Sequence, residues 1–123
     1  MKAKGENQDL VTRTRAFALR VIHLYTSLPT TQVQQVIGRQ LLRSGTSVGA
    51  HYREAQCSRS TAEFVSKLDG GRQELEETMY WLELLRDSGP NCPDLEPIYA
   101  EAKELMAILT TCARNAKVRR NQS

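Results

Sequence analysis

LLRSGTSVGAHYREAQCSRSTAEFVSKLDGGRQELEETMYWLELL, Leu41 to Leu85, joins a helix with a small-residue middle to a strongly amphipathic one through a helix-start signature. Ser60 and Glu63 fit a capping box, in which the hydroxyl satisfies one free backbone donor and the carboxylate reaches back to another. Downstream of it, Phe64, Leu68, Leu75, Met79, Leu82 and Leu85 recur at helical spacing and predict a core-facing stripe. Ser88 and Gly89 end that helix, and Gly-Pro-Asn-Cys-Pro forms the loop after it. Tyr80, Trp81 and Leu84 fall outside the stripe, so the last two turns are apolar on more than one face. A lone bundle has no use for that second face, and a subunit interface is expected there.

Upstream, Thr31 to Gln56 reads as a second helix with Val33, Ile37, Leu41, Ser44, Val48 and Ala55 on its buried line. Its middle holds Ser44, Gly45, Ser47, Gly49 and Ala50. Each interior glycine costs a helix about 1 kcal/mol relative to alanine, and close approach of another helix is the natural compensation. Gly45 and Gly49 are therefore expected at an interface, together with Tyr80, Trp81 and Leu84.

A first helix is expected from Asp9, its N-cap, to Leu28, with Leu10, Phe17, Val21 and Leu24 on one face and Pro29 as its stop. A fourth, Asp94 to Lys117, places Leu95, Ile98, Ala102, Leu105, Leu109, Cys112 and Ala116 at alternating steps of three and four, with Pro97 harmless in its first turn. Three short connections between four helices imply an all-α, antiparallel up-down-up-down four-helix bundle over residues 9–117. Residues 1–8 read as a flexible N-terminus and 118–123 as a basic C-terminal tail.

Composition agrees: 123 residues make one domain, with 40% apolar and 25% charged residues and few glycines or prolines. Cys57, Cys92 and Cys112 form no C-x-x-C pair, and no run is apolar enough for a signal peptide or membrane span, so a reduced, cytoplasmic protein is expected.

Catalytic patterns are missing from the sequence. His23 and His51 lack metal-type partners one turn away, apart from Glu54 after His51, and one such pair falls short of a di-iron set. The Ser44 to Ser47 run lacks the paired glycines, lysine and preceding strand of a phosphate loop. Glu74, Glu76 and Glu77 read as a solvated or ion-paired helix face. No enzyme, no metal and no cofactor are expected.

The net charge of +3 is unevenly distributed: residues 1–59 are net basic and 60–88 net acidic. Arg13, Arg20 and His23 share a face of the first helix; Arg39, Arg43, Arg53 and Arg59 recur along and beyond the second; Lys117, Arg119 and Arg120 close the chain. Such cations attract phosphate backbones through counterion release. Alternatively, the basic helices of one subunit pair with the acidic helix of another. Aromatic content of 6% argues against a base-stacking platform.

The segments SGTSVGAHYREA (Ser44–Ala55), AEFVSKL from Ala62 and EETMYWLELL to Leu85, with the lead-in Gln40, Leu41, Arg43 and Ser44 and the later Glu77, Thr78, Trp81 and Leu82, resemble the bacterial four-helix-bundle family encoded in intervening sequences of large-subunit ribosomal RNA genes. Two positions depart from that pattern: His51 stands where the family has Asn, and Gly70-Gly71 where it has better helix formers. The resemblance implies a ring-shaped homopentamer with basic surface and no catalytic activity. A related branch, the accessory variability determinants of diversity-generating retroelements, implies RNA or a reverse transcriptase as partner. The sequence thus points to an oligomer that binds structured RNA through Arg13, Arg20, Arg39, Arg43, Arg53, Lys117, Arg119 and Arg120, or else to a docking scaffold for a partner enzyme, with no membrane role.

Overall fold

In a computed structural model describing residues 4–122, with side chains from Asp9 onward, the chain forms four helices and, among the described residues, no strand. They are α1 (Lys4–Ser27), α2 (Gln32–Gln56), α3 (Thr61–Ser88) and α4 (Leu95–Gln122). Several of the helix ends have a local cause. Pro29 follows α1. Ser60 is the N-cap of α3, its Oγ accepting the Glu63 N–H at 3.1 Å, although no reciprocal bond from the Glu63 carboxylate accompanies it. Gly89 terminates α3 with φ 115°, a left-handed conformation that favours glycine. Pro97 sits in the first turn of α4.

The stripes expected on α1 and α4 are buried throughout, from Leu10 to Leu28 and from Leu95 to Ala116. Between α1 and α2 the spacing is set by glycines. A Cβ on Gly38 would lie 2.8 Å from Leu28 and Tyr25, one on Gly45 2.8 Å from Val21, and one on Gly49 3.1 Å from Thr14. Ascending α2 thus meets descending α1. The same reversal joins α2 to α3, where Ser44 meets Thr78 and His51 meets Glu74 and Gly70. It recurs between α3 and α4, where Glu83 meets Tyr99 and Arg86 meets Glu96.

The buried hydroxyls in these seams are satisfied. Thr14, 1% exposed, donates its hydroxyl to the Leu10 carbonyl at 2.8 Å. The Ser44 and Thr78 hydroxyls, both fully buried, lie 2.9 Å apart and reach the Leu41 and Glu74 carbonyls at 3.3 and 2.7 Å.

Several sequence expectations shift. Helix α1 begins before Asp9, so Asp9 lies inside it and is no cap. Of the segment 1–8, residues 1–3 lie outside the described residues and the rest begins α1. Helix α4 runs through the expected tail to Gln122, leaving only Ser123 outside the described residues. Val33 is 57% exposed, because the first turn of α2 overhangs the core that Ile37 begins to enter. On α3 the buried residue of the first turns is Val65, with Phe64 half-buried beside it. The helix continues unbroken through Gly70-Gly71.

Candidate nucleic-acid interface

The cations marked out by the sequence separate into two groups. Arg13 of α1 is held by α4, its Nη2 2.7 Å and Nε 3.1 Å from the two Glu101 oxygens, with Glu104 at 3.7 Å. This bidentate bond raises the already high arginine pKa. Arg43 of α2 is likewise bound to Glu77 and, at 3.5 Å, to Glu74 of α3, and its pKa is also raised. Neither side chain stands ready for phosphate, because each already pairs with carboxylates of its own chain.

Arg15, Arg20, Arg39 and Arg53 are exposed and make no ion pair among the described residues. Arg15 is an addition to the cations expected from the sequence. It lies beside the more conspicuous Arg13, and only the α4 carboxylates reveal which of the two is free.

One cationic site is built from two distant parts of the chain. Where α2 ends, turns and restarts as α3, Gln56, Arg59, Ser60 and Phe64 form one wall of a crevice of about 380 Å³; Cys112 and Arg119 of α4 are on the other. Lys117 and Arg120 lie within one turn of Arg119, while Arg53 lies within one turn of Gln56. Lys117, Arg120 and Arg53 are exposed and free of ion pairs among the described residues. Arg53 and the final cations are conspicuous in the sequence, but only the packing of α4 brings Arg119 to Arg59. Such a convergence of guanidinium groups and hydroxyls suits phosphate oxygens, as planar arginine forks bind them bidentately.

The residues expected at a subunit interface also separate. Gly45 and Gly49 receive Val21 and Thr14 of α1, so the close approach that these glycines permit is one within the chain. Tyr80 is 53% exposed, Trp81 and Leu84 are half-buried, and the Tyr80 and Trp81 rings meet edge to face with centroids 5.0 Å apart. The Trp81 indole Nε1 is covered and has no acceptor.

Among the described residues no group of three or more His, Cys, Asp or Glu is placed to hold a metal ion, and no helix is long and apolar enough to cross a membrane. His51 approaches one carboxylate, its Nε2 3.4 Å from Glu74 Oε2, while its Nδ1 is buried without a partner. Burial raises the Cys92 thiol pKa above its ordinary value.

Fold and site together define a four-helix protein with a cationic crevice at one end. The chain belongs to the family of 23S rRNA-intervening sequence proteins, whose family model matches residues 6–111. The α4 wall of the crevice, from Cys112 to Arg119, lies just beyond that match. A solved structure similar to this chain is a protein with unknown function from the S23 ribosomal protein family of Bacteroides thetaiotaomicron. It is 35% identical, with a TM-score of 0.79 over 88% of this chain and 97% of the other. No curated protein matches.

Proposed function

We propose that this chain is a non-enzymatic RNA-binding subunit that grips the phosphate backbone of a structured RNA at its crevice end. Arg59 and Arg119 lining one crevice is the observation that carries the reading. Arg53, Lys117 and Arg120 extend the positive surface around it, and membership of an rRNA-intervening sequence family favours RNA as the source of the phosphates. Arg20 and Arg39 add weaker, separate points of attraction. The reversed order of contacts between neighbouring helices supports an up-down-up-down bundle. We take the assembly to be a cytoplasmic ring of five such bundles, the number the family resemblance implies. The exposed apolar surface of Tyr80 supports association of subunits.

Binding of a folded RNA measured from low to moderate salt tests the function. Arg59→Glu with Arg119→Glu, and separately Lys117→Glu with Arg120→Glu, should weaken binding and reduce the salt slope by about 1 for every phosphate the site no longer engages. Arg13→Gln and Arg43→Gln should leave the slope unchanged. Equal losses in both sets, or no wild-type binding, would overturn the proposal. A second reading, a scaffold docking a partner enzyme such as a reverse transcriptase, is favoured by the exposed Val36 and Tyr80 and predicts no RNA affinity for the isolated protein.

A further inference from the structure

The crevice offers more than a phosphate needs. Arg59 and Arg119 are on its walls, yet its floor is apolar, with Cys112 and Ala116 buried and the Phe64 side chain lining the same space. Phe64 has the spacing of a core residue but is only half-buried, since Val65 takes the buried position in the first turns of α3 and part of the Phe64 ring is left to the crevice. Gln56 at the rim is exposed, and its amide makes no hydrogen bond among the described residues. A phosphate oxygen gains nothing from an apolar floor, whereas the flat face of a nucleobase gains contact area and is removed from water. At about 380 Å³ the space suits one small ligand, near the lower end of the roughly 300–1,000 Å³ that such sites span, and it is far too small for a double helix.

We infer that the crevice takes a single unpaired nucleotide of the bound RNA, its base stacked on Phe64 with an edge toward the Gln56 amide and its phosphate on Arg59 and Arg119; this rests on the RNA-binding reading above. In a duplex the faces of the bases are covered by their neighbours, so the nucleotide comes from a loop, a bulge or an end, where swinging it out of the stack costs least. Arg59 supplies charge for its phosphate, being exposed and making no ion pair among the described residues. The low aromatic content of the chain argues against a platform for a run of bases, but one base needs one ring. Gln56 offers both donors and an acceptor, so every base has an edge that can pair with it. The pocket therefore distinguishes unpaired from paired RNA more than one base from another.

Titration of two RNAs tests this: a blunt duplex, and the same duplex carrying one bulged 2-aminopurine nucleotide. The wild type should bind the bulged duplex at least about fivefold more tightly, and the 2-aminopurine fluorescence should change as the site fills. Phe64→Leu keeps an apolar side chain but removes the flat ring; it should erase the preference and the fluorescence change while leaving affinity for the blunt duplex, and its salt slope, as in the wild type. Gln56→Ala, a change at an exposed position, should reduce the preference, and circular dichroism confirms helix content in both variants. Equal wild-type affinity for the two duplexes, unchanged fluorescence, or a preference that survives in folded Phe64→Leu overturns the nucleotide pocket. Equal affinity that is still lost in Arg59→Glu with Arg119→Glu overturns the pocket alone and leaves the phosphate reading standing, whereas failure to bind either duplex overturns both.

Discussion

His51 occupies the space that Gly70 leaves empty. A Cβ at residue 70 would stand 2.7 Å from His51 Nδ1 and 2.8 Å from Cε1, and one at Gly71 3.6 Å from His51 Cβ. The imidazole on α2 is therefore accommodated by the bare backbone of Gly70 on α3, and the two residues form one structural unit. Gly70→Ala should stabilise a His51→Ala background by about 1 kcal/mol more than it stabilises the wild type, since only there is the alanine helix preference realised without a clash. Urea denaturation of the four proteins in the cycle gives this coupling, and additive effects would dissociate the two residues.

Gly45 is a stricter case, because its neighbour is buried. Its missing Cβ would lie 2.8 and 2.9 Å from the two Val21 methyl carbons, and Val21 is fully buried. Gly45→Ala should cost about 1–3 kcal/mol through overpacking, read as a lower denaturation midpoint, and Val21→Ala in the same chain should recover part of the loss.

The hydroxyl pair between α2 and α3 gives a third test. Thr78→Val leaves Ser44 with one buried hydrogen-bonding partner fewer and should destabilise by about 1–3 kcal/mol. Adding Ser44→Ala removes the group left unsatisfied, so the double variant should lose less than the sum of the two single losses. Thermal unfolding followed by circular dichroism measures all three.

Alkaline pH probes the contact between α3 and α4. The Tyr99 hydroxyl donates to Glu83 at 2.8 Å, and this bond, with burial and the Glu83 charge, raises the phenol pKa above its ordinary 10.0. A raised pKa means that the protonated phenol is favoured by the fold. Its contribution is complete below the ordinary value and lost as pH climbs through the raised one. From about pH 10 upward the melting temperature of the wild type should fall more steeply than that of Tyr99→Phe.

The helices were legible because their information is local. Alternating steps of three and four from Leu95 to Ala116 are a property of adjacent turns, and Ser60 and Gly89 act on groups within a few residues of themselves. What sequence could not convey was which partner each residue meets. Gly45 and Gly49 announce a close approach, but not whether the approaching helix belongs to the same chain; Val21 and Thr14 show that it does. Arg13 and Arg15 differ by two positions, and only the Glu101 carboxylate across the bundle tells the neutralised cation from the free one. Val33 follows the apolar period but lies beyond the reach of the neighbouring helices, so it stays exposed.

The crevice between Arg59 and Arg119 also has a place in time. Its two walls are translated far apart, so the growing chain carries no such site until α4 has been made and has folded back onto the turn between α2 and α3. An anion seated there touches both walls and has affinity only for the completed fold. By mass action, binding there would favour the docked position of α4 and raise the resistance of the bundle to unfolding.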